Sequence, residues 1–405
     1  MTKLLVHNEI VSTLSRDELA AIIALCPFAA IERDGEKLEV NAGCRMCMKC
    51  VREGPAGVFG VLETGGRTAA DKSAWQGIAV FVELTEGMIH PVSLELVGKA
   101  NELARKAGFR VCALLMGHNA KGAAEELLHY GVDEVYLYDY RELDTFLIEP
   151  GANVFEDFIN RAKPSSILVG ATVKGRSLAP RIAARMRTGL TADCTRLEIK
   201  ENTDLIQIRP AFGGNIMAEI TTPGNRPQIA TVRYKIFDAP PRRTEARGKV
   251  TYCEVPEYRL ASRTRPVSIA KKEKTKTISE ADVIVAVGRG IKSEKDLEMA
   301  AALAELLGAE IAATRPLVEA GWVSANRQIG LSGRTVKPKL IITLGISGSV
   351  QFKAGMENSG LIISVNTDRN AEIFNASHMA VIGDIYDVVP RLMMRIKEGA
   401  ACINR

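Results

Sequence analysis

Apolar residues in this chain fall into short blocks of two kinds. Runs of aliphatic and β-branched residues at 78–83, 110–115, 134–138, 166–170, 283–287, 310–313, 340–344, 361–366 and 379–383 have the length and continuity of strands covered on both faces. Between them lie helical stretches at 93–107, ending at Gly108, at 120–130, closed by Gly131, and at 155–162, 293–307 and 386–398. In 293–307 the apolar Leu297, Ala300, Ala301 and Ala304 form one face and charged residues the other. This alternation predicts an α/β fold with two doubly wound parallel-sheet domains, at 77–259 and 278–405.

In such sheets a ligand lies beyond the carboxyl ends of the strands, and polar residues gather at those ends in the second domain. They are Arg289, Thr314 with Arg315, the stretch 347–351, Asn366 and Asp384. The most informative end is 340–344, an apolar strand that breaks into Gly345-Ile346-Ser347-Gly348-Ser349-Val350-Gln351-Phe352. Small residues there let backbone N–H groups approach a ligand, and a helix starting near Gly348 would offer an anion site suited to a pyrophosphate. An ordinary turn without a ligand fits the same residues. Gly288-x-Gly290 opens like a dinucleotide fingerprint, but Ser293 holds the third glycine position, so an NAD reading of a chain acting alone is weak.

Four of the eight cysteines lie between positions 26 and 50, while Cys112, Cys194, Cys253 and Cys402 are isolated and read as small buried hydrophobes. In a reducing compartment a clustered set points to metal rather than disulfides. Cys44-x-x-Cys47-x-x-Cys50 has the three-ligand spacing of a bacterial ferredoxin motif, and Cys26-Pro27 lies upstream where a fourth ligand can come from. The positions that would serve a second cluster hold Arg16, Leu19, Ile22 and Gly54. Residues 1–66 therefore resemble a two-cluster ferredoxin domain reduced to one [4Fe–4S] centre, with a tetrahedral zinc site as the alternative. An amphipathic helix at 15–24, with Ser15 and Glu18 as a capping box, fills the place of the lost cluster.

At 405 residues the chain has room for two or three cored domains, and 46% hydrophobic with 25% charged residues is a soluble composition. No apolar span of membrane length and no signal peptide pattern occurs, so the cytoplasm is the expected location. The stretch 65–73 reads as a polar linker. The formal charge of +5 is local: residues 242–276 hold eleven Arg or Lys against four Glu. Prolines at 240, 241, 256 and 266 mark this stretch as an extended connector, with 260–277 joining the two sheet domains. It is expected to wrap a partner subunit or to steer an acidic carrier such as ferredoxin. Aromatic residues do not interleave with the charges, which argues against nucleic acid. Asp193 and Cys194 have no base near them in sequence, and no acid/base constellation appears elsewhere.

The set Val287-Gly-Arg-Gly-Ile-Lys-Ser293, Ala313-Thr-Arg315, Ala320-Gly-Trp322, Gly345-Ile-Ser-Gly348, Gln351, Ala354-Gly-Met356, Val365-Asn366 and Gly383-Asp384 through Val388-Val-Pro390 resembles the FAD domain of the electron transfer flavoprotein alpha subunit. Gly175-Arg-Ser-Leu-Ala-Pro180 and Thr188-Gly-Leu-Thr-Ala-Asp-Cys194 resemble its first domain, which by that resemblance binds no cofactor and packs on a beta subunit. The resemblance implies FAD contacts from Arg289, Thr314, Arg315, Ile329, Gly330, Leu331, Ser332, Ser347, Gly348, Ser349, Val350, Gln351, Phe352, Asn366, Asp384 and Ile385, while the ferredoxin-like spacing of the front domain implies cluster ligation by Cys26, Cys44, Cys47 and Cys50. This chain reads Ile329-Gly330-Leu331-Ser332 where many relatives read Val-Gly-Gln-Thr, and Phe352 where they carry a His near the flavin's pyrimidine edge. Losing that His implies weaker support for a reduced, anionic flavin, and so a lower potential or a shifted stability of the semiquinone.

The implied function is that of an electron-transfer subunit in a heterodimer. It would join flavin-based electron bifurcation between NADH, ferredoxin and an acyl-CoA or 2-hydroxy-acid (lactate-type) dehydrogenase. The alternative is a carrier without bifurcation that links flavin dehydrogenases to a quinone reductase.

Overall fold

The structure is a computed structural model that describes residues 2–41, 43, 44, 46–63, 70–211, 216–270 and 277–403. The expected linker at 65–73 lies outside the described residues up to position 69, as do 271–276 of the basic connector and the side chain of Cys402. The chain divides into two compact units, residues 1–69 and 70–405.

In the first unit Thr2–Val6 pairs antiparallel with Phe59–Glu63, and Ile31–Asp34 pairs with Lys37–Val40. Helix Arg16–Ala24 begins with the capping box that Ser15 and Glu18 predict. The Ser15 hydroxyl oxygen accepts the Glu18 N–H at 3.3 Å, and the Glu18 carboxylate accepts the Ser15 N–H at 2.8 Å. The helix buries Leu19 and Ile22 in a small core with Leu4, Val11, Ile31, Leu38, Val58 and Phe59.

The second unit contains two all-parallel sheets. The first has seven strands in the order Leu190–Cys194, Gln228–Val232, Ser166–Gly170, Ile78–Val82, Val111–Gly117, Glu134–Asp139 and Lys249–Tyr252. Every residue of its three strands Ile78–Val82, Ser166–Gly170 and Gln228–Val232 is buried, because helices cover both faces. Pro91–Ala107 and Lys121–Leu127 pack on one face, Ile148–Ala162 and Val173–Met186 on the other. Cys112, Cys194 and Cys253 are buried, and burial pushes the Cys112 and Cys194 thiols up to about 12, as inert core residues require.

Two features depart from the sequence-based expectation. The first is a three-stranded antiparallel sheet, Arg196–Ile199, Leu205–Ala211 and Ile216–Ile220, whose mixed polar composition hides it in the pattern. The second concerns the basic stretch. Lys249–Tyr252 adds as an edge strand beside Glu134–Asp139, so this part is no free connector. Arg242 forks onto Glu126 at 2.7 and 2.9 Å, Lys249 reaches Glu134 at 3.0 Å, and the Arg263 Nε donates to Glu149 at 2.7 Å. Much of the local positive charge therefore pairs within the chain's own sheet domain.

The second sheet has five strands, Val283–Val287, Glu310–Ala313, Leu340–Leu344, Leu361–Asn366 and Met379–Ile382, four of them with the predicted bounds and the last one residue shorter. Counted in chain order they lie 2-1-3-4-5, all parallel. The expected helix at 293–307 is a 3-10 turn, Glu294–Asp296, followed by Leu297–Leu307. Its inner face is Ala300, Leu303 and Ala304, while Ala301 is exposed, one position off the predicted stripe. The closing helix runs Ile385–Ile403. Among the described residues no helix is long and apolar enough to cross a membrane.

Candidate cofactor cleft

In a 2-1-3-4-5 sheet the connections from the first and third strands leave in opposite directions, opening a crevice where their loops part. Here the loops are 288–290 after Val283–Val287 and 345–349 after Leu340–Leu344. They line a cleft of about 870 Å³ together with Lys292, Thr314, Asn366, Thr367, Asp384 and Ile385.

The glycines have a more specific task than ligand approach. A Cβ on Gly288 would lie 2.6 Å from the Gly345 carbonyl oxygen, and one on Gly345, at φ +61°, would lie 2.5 Å from the Gly290 Cα. The Gly290 N–H donates to that same carbonyl at 3.0 Å. The two loops thus touch backbone to backbone, a contact no side chain permits. Gly348, at φ +88°, is pressed against Ile373, whose N–H donates to the Ser347 carbonyl at 3.0 Å. Asn366 pins the same loop by donating from Nδ2 to the Ile346 carbonyl at 2.8 Å. Glycines lock the floor, and Ser347 and Ser349 remain exposed on it.

The helix expected near Gly348 is only Val350–Lys353, so a long helix dipole is not what this site offers an anion. Ser349 caps it, its hydroxyl oxygen accepting the Phe352 N–H at 3.4 Å.

Of the sixteen residues that the sequence singles out for FAD, Arg289, Thr314, Ser347, Gly348, Ser349, Phe352, Asn366, Asp384 and Ile385 line this cleft. Gly330 and Leu331 lie beside Gln351: the Leu331 N–H donates to the Gln351 carbonyl at 3.0 Å, and a Cβ on Gly330 would meet that oxygen at 2.9 Å. Ile329 is buried in the apolar cluster beneath, and Ser332 accepts from Gln328 Nε2 at 2.8 Å. Val350 and Gln351 face outward from the short helix. Arg315 is turned along its own helix, its Nε donating to Glu319 at 2.7 Å. Phe352 touches the cleft but is only 4% exposed, in a cluster with Ile329, Ile346, Met356 and Ile373. Lys292, Thr367 and Pro316 also line the cleft. Lys292 stands inside the Gly-Ile-Lys-Ser motif, and only its polarity beside a strand end could have marked it.

Asp193 is a structural anchor, at φ +59° on an edge strand. Arg176 forks onto its carboxylate at 3.0 to 3.1 Å, and Arg233 reaches it at 3.3 Å.

In the first unit Cys26, Cys44, Cys47 and Cys50 line one small pocket with Pro27, Ile31, Val40, Met46 and Met48. The Ala30 N–H donates to Cys26 Sγ at 3.3 Å, and the Met46 N–H to Cys44 Sγ at 3.5 Å. Ala29, Met46 and Met48 hold left-handed backbone at φ 46°, 52° and 60°, winding the loops around the sulfurs. Burial raises the Cys50 thiol, and the neighbouring Cys44 and Cys47 add to the rise. Among the described residues no three His, Cys, Asp or Glu side chains converge closely enough to hold one ion.

Residues 78–258 match the family described as the electron transfer flavoprotein domain, and residues 277–357 match the electron transfer flavoprotein FAD-binding domain. The chain is 57% identical over 384 residues to the lactate dehydrogenase (NAD(+),ferredoxin) subunit LctC of Acetobacterium woodii, covering 95% of this chain and 92% of that protein. It is 42% identical over 325 residues to the electron transfer flavoprotein subunit alpha of Thermoanaerobacterium thermosaccharolyticum, covering 80% of this chain and 98% of that protein. The corresponding subunit of Megasphaera elsdenii is 41% identical over 333 residues, with 81% and 98% covered.

Proposed function

This chain belongs to the electron transfer flavoprotein alpha-subunit family, and from that premise we propose that it holds FAD in the cleft at 288–290 and 345–349 and one [4Fe–4S] cluster on Cys26, Cys44, Cys47 and Cys50. With a beta subunit, it would serve an NAD- and ferredoxin-linked 2-hydroxy-acid dehydrogenase of the lactate type by electron bifurcation. We place it in the cytoplasm, where thiols stay reduced.

The observation that carries the FAD reading is the cleft at the sheet's switch point. Its volume suits a dinucleotide, and its lining combines two cations, Arg289 and Lys292, with hydroxyl and amide groups. FAD, when bound, supplies the redox chemistry. The chain's own residues shape the floor, through Gly288, Gly290, Gly345 and Gly348, and present Ser347, Ser349, Arg289 and Asp384 to the bound group.

The four cysteines support a cluster over a zinc ion. They line one apolar pocket, N–H groups donate to two of the sulfurs, and the Cys44-x-x-Cys47-x-x-Cys50 spacing suits an iron–sulfur cluster. The match to the ferredoxin-linked relative spans 95% of the chain. Matches to the flavoprotein alpha subunits cover 80% and 81% of it.

The test is a purified complex under anaerobic conditions, given NADH and ferredoxin with and without a 2-oxo acid such as pyruvate. Bifurcation predicts ferredoxin reduction only when the 2-oxo acid is present. NADH oxidation by the 2-oxo acid that never reduces ferredoxin would instead favour a carrier without bifurcation.

A further inference from the structure

Lys292 lines the cleft and stands inside the motif that carries the family resemblance, but is not among the FAD contacts which that resemblance implies. Two contacts to Tyr386 fix it, and two further hydrogen bonds to Asp296 hold the tyrosine and the segment. The Lys292 backbone N–H donates to the Tyr386 hydroxyl oxygen at 2.9 Å. That hydroxyl in turn donates to Asp296 Oδ2 at 2.8 Å, and the Ser293 N–H donates to the same oxygen at 3.0 Å. The Lys292 ammonium lies over the Tyr386 ring, 4.8 Å from its centroid. A ring holds a cation in place without neutralising it, so the positive charge stays available to an anion in the cleft.

The network also joins the two sides of the opening. Lys292 follows the 288–290 loop, whereas Tyr386 follows Asp384, whose Oδ1 accepts the Tyr386 N–H at 3.0 Å. Asp296 is held below the usual carboxylate range by the Tyr386 hydroxyl and Ser293, so it stays an acceptor at neutral pH.

We propose that Lys292 is a second cationic anchor for the phosphates of the cofactor in this cleft, and that Tyr386 and Asp296 are positioning residues that hold its ammonium on the rim. The proposal rests on the FAD reading of the cleft and adds to it the element that clasps the mouth. Arg289 supplies a planar fork from the floor loop, while Lys292 supplies a point charge from the rim.

The experiment is FAD binding to the apo heterodimer, followed by flavin fluorescence at low and high salt. Lys292→Ala should weaken FAD by about tenfold or more, the loss expected for one charge-assisted contact. Its affinity should also fall less steeply with salt, because one screened charge is gone. Lys292→Arg should keep most of the affinity. Tyr386→Phe should weaken FAD in the wild-type background and add no further loss in Lys292→Ala, because it acts through the lysine. A purely structural tyrosine would cost the same in both backgrounds, and that additivity would overturn its positioning role. Unchanged FAD affinity in Lys292→Ala alongside a loss in Arg289→Ala would overturn the proposal while leaving the cleft reading intact. Unchanged affinity in both would overturn the cleft reading itself.

Discussion

The Arg233 guanidinium donates to the main-chain carbonyl of Leu331 at 2.7 Å, joining two residues 98 positions apart. The same Nη2 reaches Asp193 at 3.3 Å, so one partly buried cation ties an edge strand of the seven-stranded sheet to the 329–332 loop of the five-stranded one. That loop leans on Gln351 and through it on the floor of the cleft. A cation in the first sheet therefore positions a segment of the second.

Removing this tie should loosen the second unit. Arg233→Met strands the Leu331 carbonyl and leaves Asp193 to Arg176 alone, a loss of about 1–3 kcal/mol for a partly buried charged hydrogen bond. Urea unfolding of the full chain would report it as a lower midpoint. A midpoint equal to wild type would mean that water replaces the guanidinium at no cost.

Glu95 should make stability fall with rising pH. Burial raises its carboxyl from the ordinary 4.5 to about 7, although the Lys235 N–H donates to it at 2.9 Å. A folded chain that holds this proton more tightly than the unfolded chain has the full contribution below about pH 4.5 and loses it as pH rises through about 7. Glu95→Gln stays neutral and can still accept from Lys235. It should be more stable than wild type at pH 8, by up to about 3 kcal/mol, and match it in acid. Coincident denaturation curves for the two proteins at pH 8 would refute the assignment.

The front unit should bind about four iron and four sulfide when purified without oxygen. Cys26→Ser should lose as much iron as Cys47→Ser, since both sulfurs line one pocket. The loss should spare FAD, which is proposed for the other unit. Stoichiometric zinc, or an iron content indifferent to Cys26, would remove the basis for a cluster.

Phe352→His tests the departure at this position that the family resemblance implies. A donor at the cleft should favour the reduced flavin and raise its first potential, by roughly 40 to 90 mV for about 1–2 kcal/mol of differential hydrogen bonding. The ring is also buried in an apolar cluster, so the same change should lower the unfolding midpoint. Spectroelectrochemistry of the heterodimer decides the first effect. A lower midpoint with an unchanged potential would show that this side chain serves the core alone.

Local patterns in the sequence determined much of this protein. Strand 340–344 is readable because four aliphatic residues and one β-branched Thr run together, as suits a strand buried on both faces, and the Ser15 and Glu18 pair because a capping box is a contact between residues three apart. The cysteine spacing and the strand-end polar residues are local in the same sense, and nine of the sixteen residues named from them and from the family motifs meet in one cleft. What the tertiary structure decided are contacts between distant segments. Gly288 and Gly345 read only as small residues that let a ligand approach until their loops are seen in backbone contact, and the basic stretch as an extended connector until its strand joins the sheet. The clasp of Lys292, Tyr386 and Asp296 belongs to the same class, because its members lie about 90 positions apart and only the packing of helix Leu297–Leu307 against helix Ile385–Ile403 brings them together. Side-chain periodicity records which face of an element is buried, and carries no information about which distant element buries it.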